Sequence, residues 1–140
     1  MPERLREVMT PDPVAVATTA TLQHAAEVMR DRAIGDVLVV DEEGSLYGIV
    51  TDRDIVVAGI AEGADPAAMS VDQVCTHDPL SLGPDDAVAE AARLMSDRAI
   101  RRLPIVDNGN LVGIVSLGDL AIDRDPNSVL GEISGAPPNN

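Results

Sequence analysis

Two segments, GIVTDRDI (48–55) and GIVSLGDL (113–120), end an apolar stretch in a hydroxyl followed three residues later by a carboxylate. The pairs are Thr51 with Asp54 and Ser116 with Asp119. At a strand-to-helix junction this spacing fits an N-terminal capping box, with Asp in place of the usual Glu. The hydroxyl satisfies an amide that has no intrahelical acceptor, and the acid favours the positive end of the helix. Such a cap contributes roughly 1 kcal/mol. Its recurrence at the same point of two similar stretches leaves open a second, shared role.

Other chemistry-bearing residues are sparse. Cys75 and His77 lie two apart, and His24 is the other histidine. A nucleophile or a metal site would need a third partner that this spacing does not supply, so Cys75 is read as filling an apolar slot and His24 as lying on a wet helix face. Asp85 and Asp86 read as helix-start charges. No P-loop, GxSxG or HExxH pattern is present. The expectation is no catalytic residue, no metal and no enzymatic activity, although a small hydrolase or metal protein built on Cys75, His77 and Asp78 is kept as a remote alternative.

Charge narrows the partners. The formal net charge is −14, with 24 acids against 10 basic residues, every one an arginine. A phosphate backbone or an anionic membrane surface would repel such a chain. No apolar run approaches the roughly 20 residues that span a bilayer. The first residues, MPERLREVMT, carry no hydrophobic stretch of signal-peptide type, so the expected location is cytoplasmic. One cysteine excludes an intrachain disulfide.

The elements that must position the two motifs come from an internal repeat. DRAIGDVLVVDEEGSLYGIVTDRDI (31–55) aligns with DRAIRRLPIVDNGNLVGIVSLGDL (97–120) across a one-residue gap. Upstream, VMTPDPVAV aligns with VCTHDPLSL, and AAEVM with AARLM. Each copy opens on a Thr and an Asp-Pro turn, then a short apolar stretch (Val14 to Val16, or Leu80 to Leu82). A helix follows. In the second copy it starts near Asp85 and carries Val88, Ala91, Ala92, Leu94 and Met95; in the first, Leu22, Ala25, Ala26, Val28 and Met29. The i, i+3, i+4, i+7 spacing gives each helix one apolar face. Two strands come next, turning at DEEG in one copy and at DNGN in the other, where Asn108-Gly109 is a strong hairpin signal. Their nearly continuous apolar character is that of strands covered on both faces. A second helix begins at Thr51 or Ser116. With 45% hydrophobic residues but one Tyr and neither Phe nor Trp, the core must be aliphatic. One copy alone is marginal for an independent core.

The β-α-β-β-α order, its duplication and the paired G-I-V-[T/S]-x-x-D segments resemble a stand-alone pair of cystathionine-β-synthase (CBS) domains, a Bateman module, over residues about 5–123. The resemblance implies an α/β (α+β) fold of two repeats packed sheet to sheet with pseudo-twofold symmetry. The expected organisation is a first repeat with its linker at 1–70, a second repeat at 71–123, and a partly disordered tail at 124–140. Within the linker, Asp65-Pro66 reads as a new helix start. The family commonly binds AMP, ADP or ATP, and some members bind NAD or S-adenosylmethionine. Its usual role is sensing through a partner protein, and its pairs usually form homodimers.

The resemblance also assigns roles. The motif acid takes two ribose hydroxyls, as an acidic residue does in dinucleotide sites, and the Thr or Ser contacts ribose or phosphate near a helix N-terminus. Each site is expected to be composite. One pairs Thr51 and Asp54 with Leu80, Ile100 and the segment RRLP; the other pairs Ser116 and Asp119 with Thr10, Val14, Ile34 and the segment GDVL. Arg53, Arg101 and Arg102 are the phosphate-binding candidates, since a guanidinium grips phosphate bidentately; a solvated surface or a salt bridge is the alternative for each. The copies differ at this point: Gly35-Asp36 stands where the second copy has Arg101-Arg102, and Asp36 would repel phosphate. The Asp54 site is therefore preferred. The competing reading is a ligand-independent dimerisation or scaffold module in which both motifs are only caps.

Overall fold

The computed structural model describes residues 4–124; the tail expected from 124 onward lies, from 125, outside the described residues. In chain order the strands are β1 (Thr10–Pro11), β2 (Ala15–Ala17), β3 (Asp36–Val40), β4 (Leu46–Thr51), β5 (Thr76–His77), β6 (Arg102–Asp107) and β7 (Asn110–Ser116). The α-helices are α1 (Leu22–Arg32), α2 (Val88–Arg98) and α3 (Leu117–Arg124). The α/β order of two β-α-β-β-α repeats is thus present. The compact units do not follow the repeat boundaries: one is formed by residues 14–79, the other by residues 80–124 together with residues 4–13.

In the unit of residues 14–79 the sheet order is β2-β3-β4-β5, with β2 parallel to β3 and the other pairs antiparallel. Helix α1 lays Leu22, Ala25 and Met29 against Val37, Val39, Val50, Ile55 and Val71. In the other unit the order is β1-β7-β6, all antiparallel. There α2 lays Val88, Ala91 and Met95 against Leu103, Ile105, Val115, Leu120 and Leu5. Apart from Val16, whose counterpart Leu82 is only half-buried, the two cores correspond residue for residue under the repeat alignment, which is why the helical spacing is readable. Ala26, expected on the apolar face of α1, is exposed. Strands β3 and β6 each bury three consecutive residues, as continuous apolar runs predict for sheets covered on both faces.

Each core is completed by the opening segment of the opposite repeat. Val71, from the start of the second repeat, is fully buried in the core of residues 14–79; Leu5, from the start of the first, is fully buried in the other. Backbone bonds fix both. Val71 N–H donates to Ala20 O (2.8 Å) and Leu5 N–H to Asp86 O (3.0 Å). Next in each segment is a two-residue strand: β5 pairs with β4, and β1 with β7. These close approaches explain the repeated glycine of the G-I-V segments. A Cβ on Gly48 would lie 2.5 Å from Thr76 O, and one on Gly113 2.6 Å from Met9 Sδ. The first contact is with backbone, which cannot swing aside.

Local chemistry ends the elements as the repeat suggests, with some departures. Asn108 (φ 52°) and Gly109 (φ 85°) both take left-handed conformations in the β6–β7 turn, the requirement of a type I′ hairpin. In the β3–β4 turn, Asp41 Oδ1 instead accepts from the amides of Glu43 and Ser45, both at 2.9 Å. Helices α1 and α2 end on left-handed alanines, Ala33 and Ala99, where glycine is usual. The amides of Ile34 and Ile100 then bond back to Met29 O and Met95 O.

Three expectations are corrected. Helix α2 starts at Val88, three residues beyond Asp85. Asp85 and Asp86 instead belong to the preceding turn, where Asp86 Oδ2 accepts from Gly83 N–H at 2.7 Å. Asp65-Pro66 opens one hydrogen-bonded turn, not a helix, because Pro66 O and Met69 O are taken by the first-turn amides of α1, Gln23 N–H and Leu22 N–H. The stretch Leu80 to Leu82 pairs only through the bridge of Leu82 with Ile105, so this repeat's first strand is vestigial.

Asp85 Oδ1 accepts from Arg6 Nη2 at 2.6 Å and Arg4 Nη1 at 3.4 Å, tying residues 4–13 to their unit. The hydrogen bond from Arg6, ahead of its charge, holds the Asp85 carboxyl below its ordinary value.

Two outcomes follow. Leu5→Ala should destabilise the protein by about 2–5 kcal/mol, the cost of emptying a buried leucine site. In native-state hydrogen exchange the loss of protection should be largest in α2, β6 and β7, not in the repeat to which Leu5 belongs by sequence. For Asp85, a lowered folded-state pKa gives stability that is present above the unfolded value, about 3.9, and lost as pH falls through the folded value. The difference in urea midpoint between wild type and Asp85→Asn should therefore be small but full at pH 7, as expected of an exposed pair, and should vanish in acid below that range.

Candidate functional site

Both T/S-x-x-D motifs are reciprocal caps. Thr51 N–H donates to Asp54 Oδ2 (2.9 Å) and Asp54 N–H to Thr51 Oγ1 (3.0 Å). Ser116 N–H donates to Asp119 Oδ2 (2.8 Å) and Asp119 N–H to Ser116 Oγ (3.1 Å). All four residues are half-buried. Each cap uses Oδ2 of its acid; among the described residues, Oδ1 of Asp54 and of Asp119 has no hydrogen-bond partner. A further backbone bond anchors each cap to the loop before the first hairpin strand: Asp52 N–H to Gly35 O (2.9 Å) and Leu117 N–H to Arg101 O (2.7 Å). Each motif is thereby held on rigid backbone at the end of a sheet, with one acceptor oxygen still available.

Strand register sets the charge around each cap. Asp36 is directly opposite Thr51, whereas Arg102 is directly opposite Ser116. Residues opposite each other in an antiparallel pair are side-chain neighbours. The hydroxyl of one cap has an acid beside it, and the other an arginine. This cross-strand relation was not read from the sequence, although the repeat alignment together with the hairpin turns contains it.

The remaining candidates divide between the units. Val14, Ile34 and Arg53 belong to the unit of Thr51 and Asp54; Thr10, Leu80, Ile100, Arg101 and Arg102 belong to that of Ser116 and Asp119. Val14 O accepts from Leu38 N–H (3.2 Å) at the start of β3. Thr10 is opposite Ile114, two residues before Ser116. Val14, Ile34 and Ile100 are half-buried; Thr10, Leu80, Arg53, Arg101 and Arg102 are exposed.

Following the first cap, residues Asp54–Gly59 form a π-helix, whereas Ser116 leads into the regular α3. The π-helix, the end of α1 and the loop at Gly35 enclose a cleft of about 580 Å³, lined by Met29, Arg30, Ile34, Asp52, Val56 and Ile60, among others.

Cys75 is half-buried against the core of residues 14–79, and burial, then the nearby Asp72, pushes its thiol above the ordinary range. That is the apolar slot expected of it, and the reverse of what an activated nucleophile requires. His24 is exposed, as expected. His77 meets the Tyr47 ring edge-on, with centroids 3.9 Å apart. Among the described residues no three His, Cys, Asp or Glu side chains gather as metal ligands, and no helix is long and apolar enough to cross a membrane.

Comparison with known proteins gives the class. The CBS domain family matches at residues 5–60 and again at 71–122. The chain belongs to that family, as a tandem pair of CBS domains. It is 40% identical over 127 residues to the CBS domain-containing protein YhcV of Bacillus subtilis, covering 91% of this chain and 89% of that protein. The crystal structure of Hypoxic Response Protein I, solved with two coordinated zinc ions, superposes with a TM-score of 0.78 at 30% identity, covering 84% of this chain and 96% of that one. The CBS domain pair of protein MJ0100, solved with 5′-methylthioadenosine and S-adenosyl-L-methionine, superposes with a TM-score of 0.73 at 26% identity, covering 84% and 92%. CBS-domain relatives of this kind are regulatory, non-catalytic modules.

Removing either cap hydroxyl isolates its structural share. Thr51→Ala and Ser116→Ala should each lower the unfolding free energy by about 1 kcal/mol, read from urea denaturation, while Thr51→Ser should retain most of it.

Proposed function

We propose that this chain is a cytoplasmic sensor of adenosyl ligands, with AMP, ADP or ATP foremost and NAD or S-adenosylmethionine next, that acts on a partner protein. The observation that carries this reading is the free Oδ1 of each cap acid. It is a fixed acceptor at a half-buried strand end beside helical amides, suited to a ribose hydroxyl. The adenosyl ligands of the MJ0100 pair support the ligand class. Asp54 and Asp119 would take ribose; Thr51 and Ser116 would meet ribose or phosphate; Arg53, Arg101 and Arg102 would meet phosphate. Thr10, Val14, Ile34, Leu80 and Ile100 would cover the base. The two motifs would not be equivalent, because Asp36 flanks one and Arg102 the other.

A second reading, a dimerisation or scaffold module without ligand, is favoured by two observations. The caps are complete as they stand, and Val56 and Ile60 expose 56% and 52% of their surface beside the first one. Self-association through that apolar face would make a homodimer, and it is compatible with the sensor reading.

A ligand that binds the folded state alone adds about 2.7 kcal/mol at 100 times its dissociation constant. A thermal-shift panel of AMP, ADP, ATP, NAD, S-adenosylmethionine and 5′-methylthioadenosine should therefore raise the melting temperature with at least one compound. The shift should shrink in Asp54→Asn or Asp119→Asn. Silence from every compound at millimolar concentration leaves the scaffold reading, which sedimentation of the unliganded protein tests directly.

A further inference from the structure

The two repeats enter their second helices through the same cap and then diverge. After Ser116 the chain runs as a regular α-helix; after Thr51 it runs as a π-helix of six residues, Asp54–Gly59. A π turn pairs i with i+5 and holds one residue more than an α turn; such turns are rare and often mark functional sites. Here the amide of Ile60 is shared between Ile55 O, the π partner, and Val56 O, the α partner. Downstream the pairing continues mixed: Ala64 N–H reaches Gly59 O (3.1 Å, i+5) and Gly63 N–H reaches Ile60 O (3.0 Å, i+3). Both registers are therefore represented at a single residue.

The burial pattern allows either register. Ile55 and Gly59 are the buried residues of the segment, while Val56, Val57 and Ile60 are 56%, 47% and 52% exposed. Little apolar contact therefore resists a rotation of the outer side chains. Gly59 abuts Leu22, since a Cβ there would lie 2.7 Å from Leu22 Cδ1, so the pivot stays against α1 while the outer face turns. Exchange to α pairing keeps every residue, so the residues beyond Gly59 turn by about 100°, one residue of a 3.6-residue turn. Ile55, Val56 and Ile60 also wall the cleft of about 580 Å³, which would reshape as they turn.

We propose that residues 54–60 form a two-register helix, exchanging between π and α pairing. Its register sets the shape of this cleft and the outward face of Val56, Val57 and Ile60. Asp54 is the first π residue and also the cap acid, so a ligand on its free Oδ1 biases the register. This last step rests on the adenosyl-ligand reading above.

NMR relaxation dispersion on the full chain reads the exchange directly. Wild type should show millisecond exchange at amides 58–64, and deletion of Ala58, which removes the extra residue, should abolish it. Adding AMP or 5′-methylthioadenosine should shift the populations in wild type, and the deletion variant, held in one register, should bind the same compound, by calorimetry, with an affinity changed by the factor that this shift implies. Flat dispersion at these amides in wild type overturns the two-register helix, whether or not the deletion variant folds. Exchange that a bound compound leaves unchanged overturns the coupling. If calorimetry detects neither compound, the adenosyl-ligand reading and the coupling fall together, and the dispersion data still decide the helix.

Discussion

The structure depends on each repeat finishing the other's core. The core between each sheet and its helix is completed by a residue from outside that repeat. Leu5 and Val71 are those residues, each carried by a segment that belongs by sequence to the opposite repeat. The rest is arranged around this. The glycine repeated in the chain's own duplication, Gly48 and Gly113, is where the incoming strand passes too close for a side chain. Asp85 holds Arg4 and Arg6 of one such segment, and the linker turn at Asp65 supplies acceptors to the first amides of α1.

What the sequence disclosed and what it hid divide along physical lines. Signals carried by residues close together in the chain are legible: the helical spacing of Leu22, Ala25 and Met29, the Asn108-Gly109 turn, and the cap spacing in both copies. Contacts made by very short pieces are not. Strands β1 and β5 have two residues each, too few for any periodicity, and their partners are far along the chain. Asp85 reads equally well as a helix-start charge and as an ion-pair partner, and composition does not distinguish the two. The π register was invisible because i+5 pairing leaves no mark on residue type. Of the candidate site, the caps and their acids were legible, while the neighbours of each hydroxyl required strand register.

The duplication leaves two matching caps in this chain, and their surroundings differ at few residues. The cap bonds match within about 0.1 Å, so the backbone platform is common to both. Difference enters through the cross-strand neighbour, Asp36 or Arg102, and through the helix that follows, π or α. A platform with fixed geometry and variable surroundings can evolve two selectivities without disturbing its core. The overall negative charge sharpens the contrast, since any local cluster of arginines stands out against it.

The division of the chain also orders its biosynthesis. Residues 14–79 are contiguous, so that unit can close as soon as its last strand leaves the ribosome. The other unit is built from residues 4–13 and a stretch beginning at residue 80. Residues 4–13 must wait for the stretch beginning at residue 80, and their pairing bears the loop-closure entropy of the whole intervening unit. During that interval Leu5, fully buried in the finished fold, is uncovered apolar surface, a point where a chaperone, or a neighbouring chain on the same polysome, can take hold.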